Sequence, residues 1–265
     1  ITALQNVVVG WRNPLSTDDF VTWRDDHGTW TAVGEAWMSP QDEKRIATQP
    51  GKGVLVNGPD GKTVNLFSKV ESGDVLAHIE FMVPKGSNSG VYFQDRYEIQ
   101  ILDSWGVPSP TYTDCGGIYQ RWDEARDPKG YEGHAPRMNA SLAPGEWQTY
   151  DVIFRAPRFD SNGKKTENAR FIRVLHNGRV VHENVEVTGP TRAAAFEDEK
   201  PTGPLMFQGD HGPVAYRNIW LAPVEDAAKL AALKQMPNEF FAMDTGTKDA
   251  DHQTPKAQEI GRAHV

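Results

Sequence analysis

The chain has 265 residues, 38% of them hydrophobic and 24% charged, with a formal net charge of -8 and a sequence pI of about 5.5. That length suits one large β-domain or two small ones with a sizeable core, and acidity without a basic stripe argues against nucleic acid as a partner. Cys115 is the one cysteine, which excludes an internal disulfide and a Cys-based zinc cluster, and no apolar run reaches the length of a membrane span.

The 24 Gly and 18 Pro residues favour many turns and therefore short strands. The chain begins Ile1-Thr2-Ala3 rather than with Met, which reads as removal of an upstream segment by processing or cloning. Residues 1–60 look irregular and rich in aromatics (Trp11, Phe20, Trp23, Trp30, Trp37), with a short strand over 29–33. These Trp residues read as core and rim packing before sugar platforms. Asn57-Gly58-Pro59-Asp60-Gly61 is dense turn chemistry. Strands follow over 65–70 and 74–83. The second has an apolar parity of Val75, Ala77, Ile79 and Phe81 and a polar one of His78 and Glu80. Pro84-Lys85-Gly86-Ser87-Asn88-Ser89-Gly90 reads as a hairpin loop into a strand over 91–103.

That strand has one parity of Phe93, Tyr97, Ile99 and Ile101 and another of Tyr92, Gln94, Arg96, Glu98 and Gln100. Same-face neighbours on a strand sit roughly 7 Å apart. The polar row mixes amides, a guanidinium, a carboxylate and a ring and holds no Lys, which points to a ligand-facing surface over a plain solvated one. If 74–83 pairs with it across the hairpin, His78 and Glu80 join Gln94, Arg96, Glu98 and Gln100 on one face.

Downstream, Ser104-Trp105-Gly106-Val107-Pro108-Ser109-Pro110 is a loop, and Asp114-Cys115-Gly116-Gly117-Ile118-Tyr119 returns toward a strand. Cys115 beside two glycines reads as a small packed residue. Residues 121–143 form a long polar loop with Trp122, Tyr131 and His134, of the kind that is usually functional or mobile. Further strands lie at 147–155, 170–175 and 179–187, the last two around Asn177-Gly178, a strong hairpin signal. A final hairpin joins 203–208 to 214–221 about Gly209-Asp210-His211-Gly212-Pro213. Only 225–236 reads as a helix, acidic at its start and with Lys later. From Asp244 the chain is polar and aperiodic, an extended or disordered tail by composition, and Gly261-Arg262-Ala263-His264-Val265 reads as a cloning remnant.

The fold expected is all-β, two packed antiparallel sheets with a concave polar sheet that offers a groove, plus a short C-terminal helix. One sandwich domain is expected over 1–223, with helix and tail over 224–265.

Four segments in order then carry a family resemblance: Gly86-Ser87-Asn88-Ser89-Gly90-Val91-Tyr92, Tyr97-Glu98-Ile99-Gln100-Ile101-Leu102-Asp103, Pro144-Gly145-Glu146-Trp147-Gln148-Thr149-Tyr150 and Arg217-Asn218-Ile219-Trp220. Over roughly 60–223 the chain resembles the 3-keto-disaccharide hydrolase domain family, which has the concanavalin A-like jelly-roll fold. The resemblance implies an exported bacterial protein, periplasmic or extracellular, that acts on carbohydrate. It implies cleavage of glycosides already oxidised to a ketone at C3. A more distant resemblance to laminarinase-type glucanases fails where their catalytic Glu-x-Asp-x-x-Glu would stand: the middle Asp is Gln100 and the second Glu is Asp103.

A ketone at C3 acidifies the C2 proton, so the implied chemistry needs a base, donors for the enolate oxygen and an acid for the leaving oxygen, but no nucleophile. Glu98 is the leading base or acid, against a structural salt bridge with Arg96. Asp103 is the second carboxylate, against a cap of the following loop. Glu80 and His211 complete the acid/base candidates. Arg96, Gln100, Gln94, His78 and Gln208 are candidate substrate contacts, each with a plain structural alternative. Tyr92, Tyr119, Trp105 and Trp122 are candidate stacking rings, with packing as the alternative. A divalent ion on Glu80, Glu98, Asp103 and His211 would hold a keto-enolate. No ligand spacing is diagnostic, so no metal site or cofactor is assigned, and a structural calcium is compatible with the fold by analogy alone. A non-catalytic carbohydrate-binding module and a conventional glucanase remain the competing readings. The sequence leaves the oligomeric state open.

Overall fold

The computed structural model describes residues 13–224 and 226–235. Among these the chain runs through β1 (Asn13–Leu15), β2 (Thr31–Met38), β3 (Ile46–Val56), β4 (Leu66–Ser72), β5 (Val75–Met82), β6 (Asn88–Phe93), β7 (Tyr97–Leu102) and β8 (Arg121–Trp122). It continues through β9 (Gly130–Tyr131), β10 (Gln148–Arg155), β11 (Arg158–Phe159), β12 (Lys165–Glu167), β13 (Ala169–His176), β14 (Arg179–Val187), β15 (Gly203–Phe207), β16 (Ala215–Pro223) and helix α1 (Ala227–Lys234). An eight-stranded antiparallel sheet has the order β14-β13-β10-β5-β16-β3-β2, with β1 also on β16. A four-stranded sheet has the order β4-β15-β6-β7. This is the predicted jelly-roll sandwich.

Strand alternation builds the core between the sheets. Val91, Phe93, Tyr97, Ile99, Ile101, Leu205 and Phe207 point inward from the small sheet, and Ala77, Ile79, Phe81, Tyr150, Phe154 and Tyr216 meet them from the large one. Phe207 stacks on Tyr216 with centroids 4.0 Å apart and planes at 5°, and Phe93 and Tyr97 each lie 5.4 Å from Phe154. Burying one such ring contributes about 1.5–3 kcal/mol, so these contacts fix how the sheets sit over each other. Helix α1 packs Leu230 and Leu233 on Leu76, Ile153, Ile172, Leu175 and Trp220, on the far face of the large sheet. Asp226 caps it by accepting from the Lys229 N–H at 2.7 Å, and Lys234 sits in its last turn. The helix thus falls where expected, although Glu225 and Met236, like Trp11 and the tail beyond Asp244, lie outside the described residues.

Three sequence expectations need correction. Residues 13–60 are not irregular: β1, a longer β2 and the eleven-residue β3 lie there. Pro50, Gly51 and Gly53 break the pattern of β3, and Gly51 (φ 153°) lets β3 press against Gly34, where a Cβ would stand 2.6 Å from the Gly34 Cα. Residues 91–103 are not one strand. Gln94 (φ 54°) and Asp95 (φ 56°) form a turn closed by Arg96 N–H to Phe93 O at 3.0 Å, so β6 and β7 are a hairpin. Finally, β5/β6 and β15/β16 are not hairpins. In each case the first strand and the second belong to different sheets, and the connecting residues arch across the sandwich end. The two arches touch, with the Ser87 hydroxyl donating to Pro213 O at 2.6 Å.

Candidate active site

The outward face of the small sheet forms the floor of a cavity of about 260 Å³. Antiparallel register sets its side chains in rows: Met206 opposite Tyr92 opposite Glu98, then Gln208 beside Gly90 opposite Gln100. Gly90 is the gap in that floor. A Cβ there would stand 2.3 Å from the Glu98 Oε1, so the missing side chain makes room for the carboxyl. Asn88, Tyr92, Glu98, Gln100 and Gln208 line the cavity from the sheet. His211 enters from the arch between β15 and β16, which Asn57 holds through bonds to Gly209 O (3.0 Å), Gly212 O (2.8 Å) and Val214 N (2.8 Å). Tyr119 comes from the segment laid along β7, where its N–H donates to Glu98 O at 3.1 Å and Ile118 bridges Ile99. Arg192 and Ala193 come from the 188–202 loop. It is pinned by Thr191 N–H to Arg96 O (2.7 Å) and by Arg192 N–H to Gln120 O (2.8 Å).

Burial governs the electrostatics. Glu98 is 3% exposed, and its desolvation pushes the carboxyl up to about 8, against a lowering hydrogen bond from the Tyr92 hydroxyl. Burial first, then the Glu98 charge, raises Tyr92 well above the ordinary phenol range, so it stays a donor. Tyr92 also approaches Arg192 O at 3.5 Å, a long contact beside the carboxyl as acceptor. Tyr119 is raised by burial and by Glu98, with Arg192 opposing. The Gln100 Oε1 and Asn88 Oδ1 are buried without a hydrogen-bond partner, so the cavity wall has acceptors left over. Asp210 lies 2.5 Å from the His211 Nδ1 and fixes that ring.

Of the residues singled out in the sequence, Glu98, Gln100, Tyr92, Tyr119, Gln208 and His211 come together here. The others do not. His78 and Glu80 sit on the far face of the large sheet, because the 83–87 arch carries the chain from one sheet to the other after β5. There the His78 Nδ1 meets Asp151 at 2.7 Å, and Glu80 takes Arg217 Nε at 2.6 Å and Asn218 Nδ2 at 2.8 Å. Gln94 lies in the β6–β7 turn and Arg96 closes it. Gln94 donates to Ser72 O and Pro201 O, and Arg96 to Gln94 O and Asp198. Asp103 accepts the Gly86 N–H at 2.8 Å and the Trp105 N–H at 3.4 Å, a loop cap. Trp105 is 59% exposed on that loop, away from the cavity. The four-residue metal set is therefore scattered, and among the described residues no cluster of three or more His, Cys, Asp or Glu is arranged for a metal ion.

Sequence reasoning missed Asn88, Arg192 and Ala193. Asn88 stood in a segment read as a loop, and 188–202 carries no period to read. Trp122 lines an adjoining cavity, where the Arg192 guanidinium lies 3.9 Å from its ring centroid.

The arrangement combines one buried carboxyl, neutral phenols, amides and a cation over a sheet floor. The family model of the 3-keto-alpha-glucoside-1,2-lyase-like domain matches residues 10–222. The chain belongs to this family. Its 3-keto-alpha-glucoside-1,2-lyase-like domain is of the carbohydrate-active glycosyl hydrolase and lyase kind. It is similar to a candidate glycosyl hydrolase from Parabacteroides distasonis ATCC 8503, at 26% identity and a TM-score of 0.59, covering 80% of this chain and 84% of that one. Two more candidate glycosyl hydrolases from the same organism share the fold, each at a TM-score of 0.51. One is 15% identical (85% of this chain, 98% of that one) and the other 19% identical (80% and 99%). No curated protein matches the chain. Among the described residues no helix is long and apolar enough to cross a membrane, which says nothing of a β-barrel.

Proposed function

We propose that the protein cleaves 3-keto-glycosides by elimination and hydration, with Glu98 as the base that takes the C2 proton. The observation that carries this reading is the cavity lining: among the described residues that form it, Glu98 is the one carboxyl group. Hydrolysis by double displacement or by inversion needs two carboxyls flanking the bond. Elimination from a ketone needs one base. The family and the Parabacteroides relative support carbohydrate chemistry and leave this step as the proposal.

A carboxyl raised to about 8 is a stronger base once ionised than an ordinary glutamate, and lies near the working pH of a proton-transfer group. Proton removal at C2 leaves an enolate with its charge on the C3 oxygen. The cavity offers the Gln208 and Asn88 amides and the His211 ring as partners for that oxygen and the sugar hydroxyls. The enolate then expels the C1 substituent, and water adds to C1 as C2 regains its proton. Cleavage is net hydrolysis.

The test is to incubate the protein with a 3-keto-glucoside and with its parent glucoside and to follow release of the C1 substituent. Release from the keto sugar alone, lost in Glu98→Gln, is the expected result. Binding of both sugars with turnover of neither would replace the enzyme by a binding module, and cleavage of an unoxidised glucan would replace it by a glucanase.

A further inference from the structure

Next to the Glu98 cavity lies a larger one of about 580 Å³, walled by Trp122, Tyr131, Pro190 and Phe196. The two have Arg192 and Ala193 in common. A glycoside with its keto ring over Glu98 and its C1 substituent in the second cavity places the scissile bond at that shared wall. Two groups bear on that bond: Arg192 on the shared wall, and Tyr119, which lines the Glu98 cavity beside it. The Arg192 guanidinium stands over the Trp122 ring, 3.9 Å from its centroid, and no hydrogen bond or ion pair engages that side chain among the described residues. Ala193 takes a left-handed φ of 65°, a conformation costly for a side-chain-bearing residue and found where a structure holds a site in place. The second group is Tyr119. Its backbone is bonded to Glu98, and the next residue, Gln120, accepts the Arg192 N–H, so one run of backbone bonds ties Glu98, Tyr119 and Arg192 together. The Tyr119 ring packs edge-on against Tyr112 at 5.8 Å, and its hydroxyl has no hydrogen bond among the described residues.

We propose that Tyr119 donates the proton to the leaving oxygen and that Arg192, laid on Trp122, is the positioning cation that steadies the resulting phenolate, with the leaving group seated in the larger cavity. This rests on the 3-keto-glycoside reading. Glu98 holds the C2 proton. The enolate pair re-forms the C3 carbonyl, the former C2–H pair becomes the C1=C2 bond, and the C1–O bond breaks onto the leaving oxygen, which takes the Tyr119 proton. Water then gives a proton to the phenolate and its hydroxyl to C1, and Glu98, having exchanged its proton with solvent, delivers one to C2. Both side chains end as they began, and the alcohol and the free 3-keto sugar are the products.

The experiment compares methyl and 4-nitrophenyl 3-keto-glucosides, because nitrophenolate departs without a proton and methoxide does not. Tyr119→Phe is expected to slow methanol release roughly 100-fold, to leave nitrophenol release within about tenfold of wild type, and to keep exchanging the C2 hydrogen in D2O. Arg192→Gln should show the same selectivity more weakly, and Arg192→Lys should restore methanol release in part. Equal loss on both substrates, loss of C2 exchange in Tyr119→Phe, or no loss at all would overturn the assignment. A wild-type protein inert to both keto-glucosides would instead remove the reading beneath it.

Discussion

Glu98 and Gly90 act as a pair, since the carboxyl occupies the volume a side chain at position 90 would fill. Gly90→Ala should push the carboxyl off its place and lower kcat/KM by about 100-fold, the scale of a 1 Å displacement of a reacting group, with the circular dichroism spectrum unchanged. The raised pKa of Glu98 makes a second statement. In the unfolded chain this group ionises near 4.5, and in the folded protein it keeps its proton to about 8. Stability therefore falls as pH rises between those values, while the base form, and with it kcat/KM, rises through about pH 8. Glu98→Gln should abolish turnover and raise stability above pH 8 by on the order of 3 kcal/mol, read as the difference in denaturation midpoints at pH 5 and pH 9.

At the scale of strands, the site is held from behind. The Tyr150 hydroxyl on β10 crosses the core to donate to Gln100 O at 2.6 Å, and the Tyr216 hydroxyl on β16 lies 3.0 Å from Ser89 Oγ, which donates to Gln208 O at 2.8 Å. Both ties fix backbone under cavity-lining residues. Tyr150→Phe should cost about 1 kcal/mol in urea denaturation and raise KM while leaving the C2 exchange rate of bound substrate near wild type. The same strands show what a sequence reveals. Alternation is local, so Glu98, Gln100 and Tyr92 were legible as one face and Phe93, Tyr97, Ile99 and Ile101 as the other. Pairing is not local. His78 and Glu80 alternate as cleanly as Glu98 does, yet β5 joins the other sheet, and nothing in the 83–87 arch distinguishes it from a hairpin loop. The β6–β7 turn hid for a related reason: Gln94-Asp95 adopts the left-handed pair that Asn-Gly usually signals. Arg192 was illegible because its place depends on bonds to Arg96 and Gln120, far away in sequence.

Across the whole molecule, the far face of the large sheet carries a second buried charge network, in which His78 loses its contribution at alkaline pH as Glu98 does and Glu80 loses its contribution at acid pH. Burial works to lower the His78 pKa, but Asp151 and Glu80 outweigh it and raise it to about 9; burial works to raise Glu80, but His78, Asn218 and Arg217 bring it to about 2. The His78 contribution is complete below 6.5 and is lost as pH rises through about 9. The Glu80 contribution is complete above 4.5 and is lost as pH falls through about 2. With Glu98 added, the melting temperature should be highest between about pH 4.5 and 6.5 and fall toward pH 9, and His78→Gln should flatten the alkaline fall. Activity should climb on that same alkaline side, so the two sheets divide the work: one holds the fold and the other carries a base kept out of water.

The central claim is that the C2 proton leaves during cleavage. It is tested most directly with a 3-keto-glucoside carrying deuterium at C2, with the product analysed over the first turnovers against an enzyme-free control. The account predicts slower release than from the protium substrate and loss of the label to solvent. Release at an undiminished rate, with deuterium fully retained at C2, would contradict it.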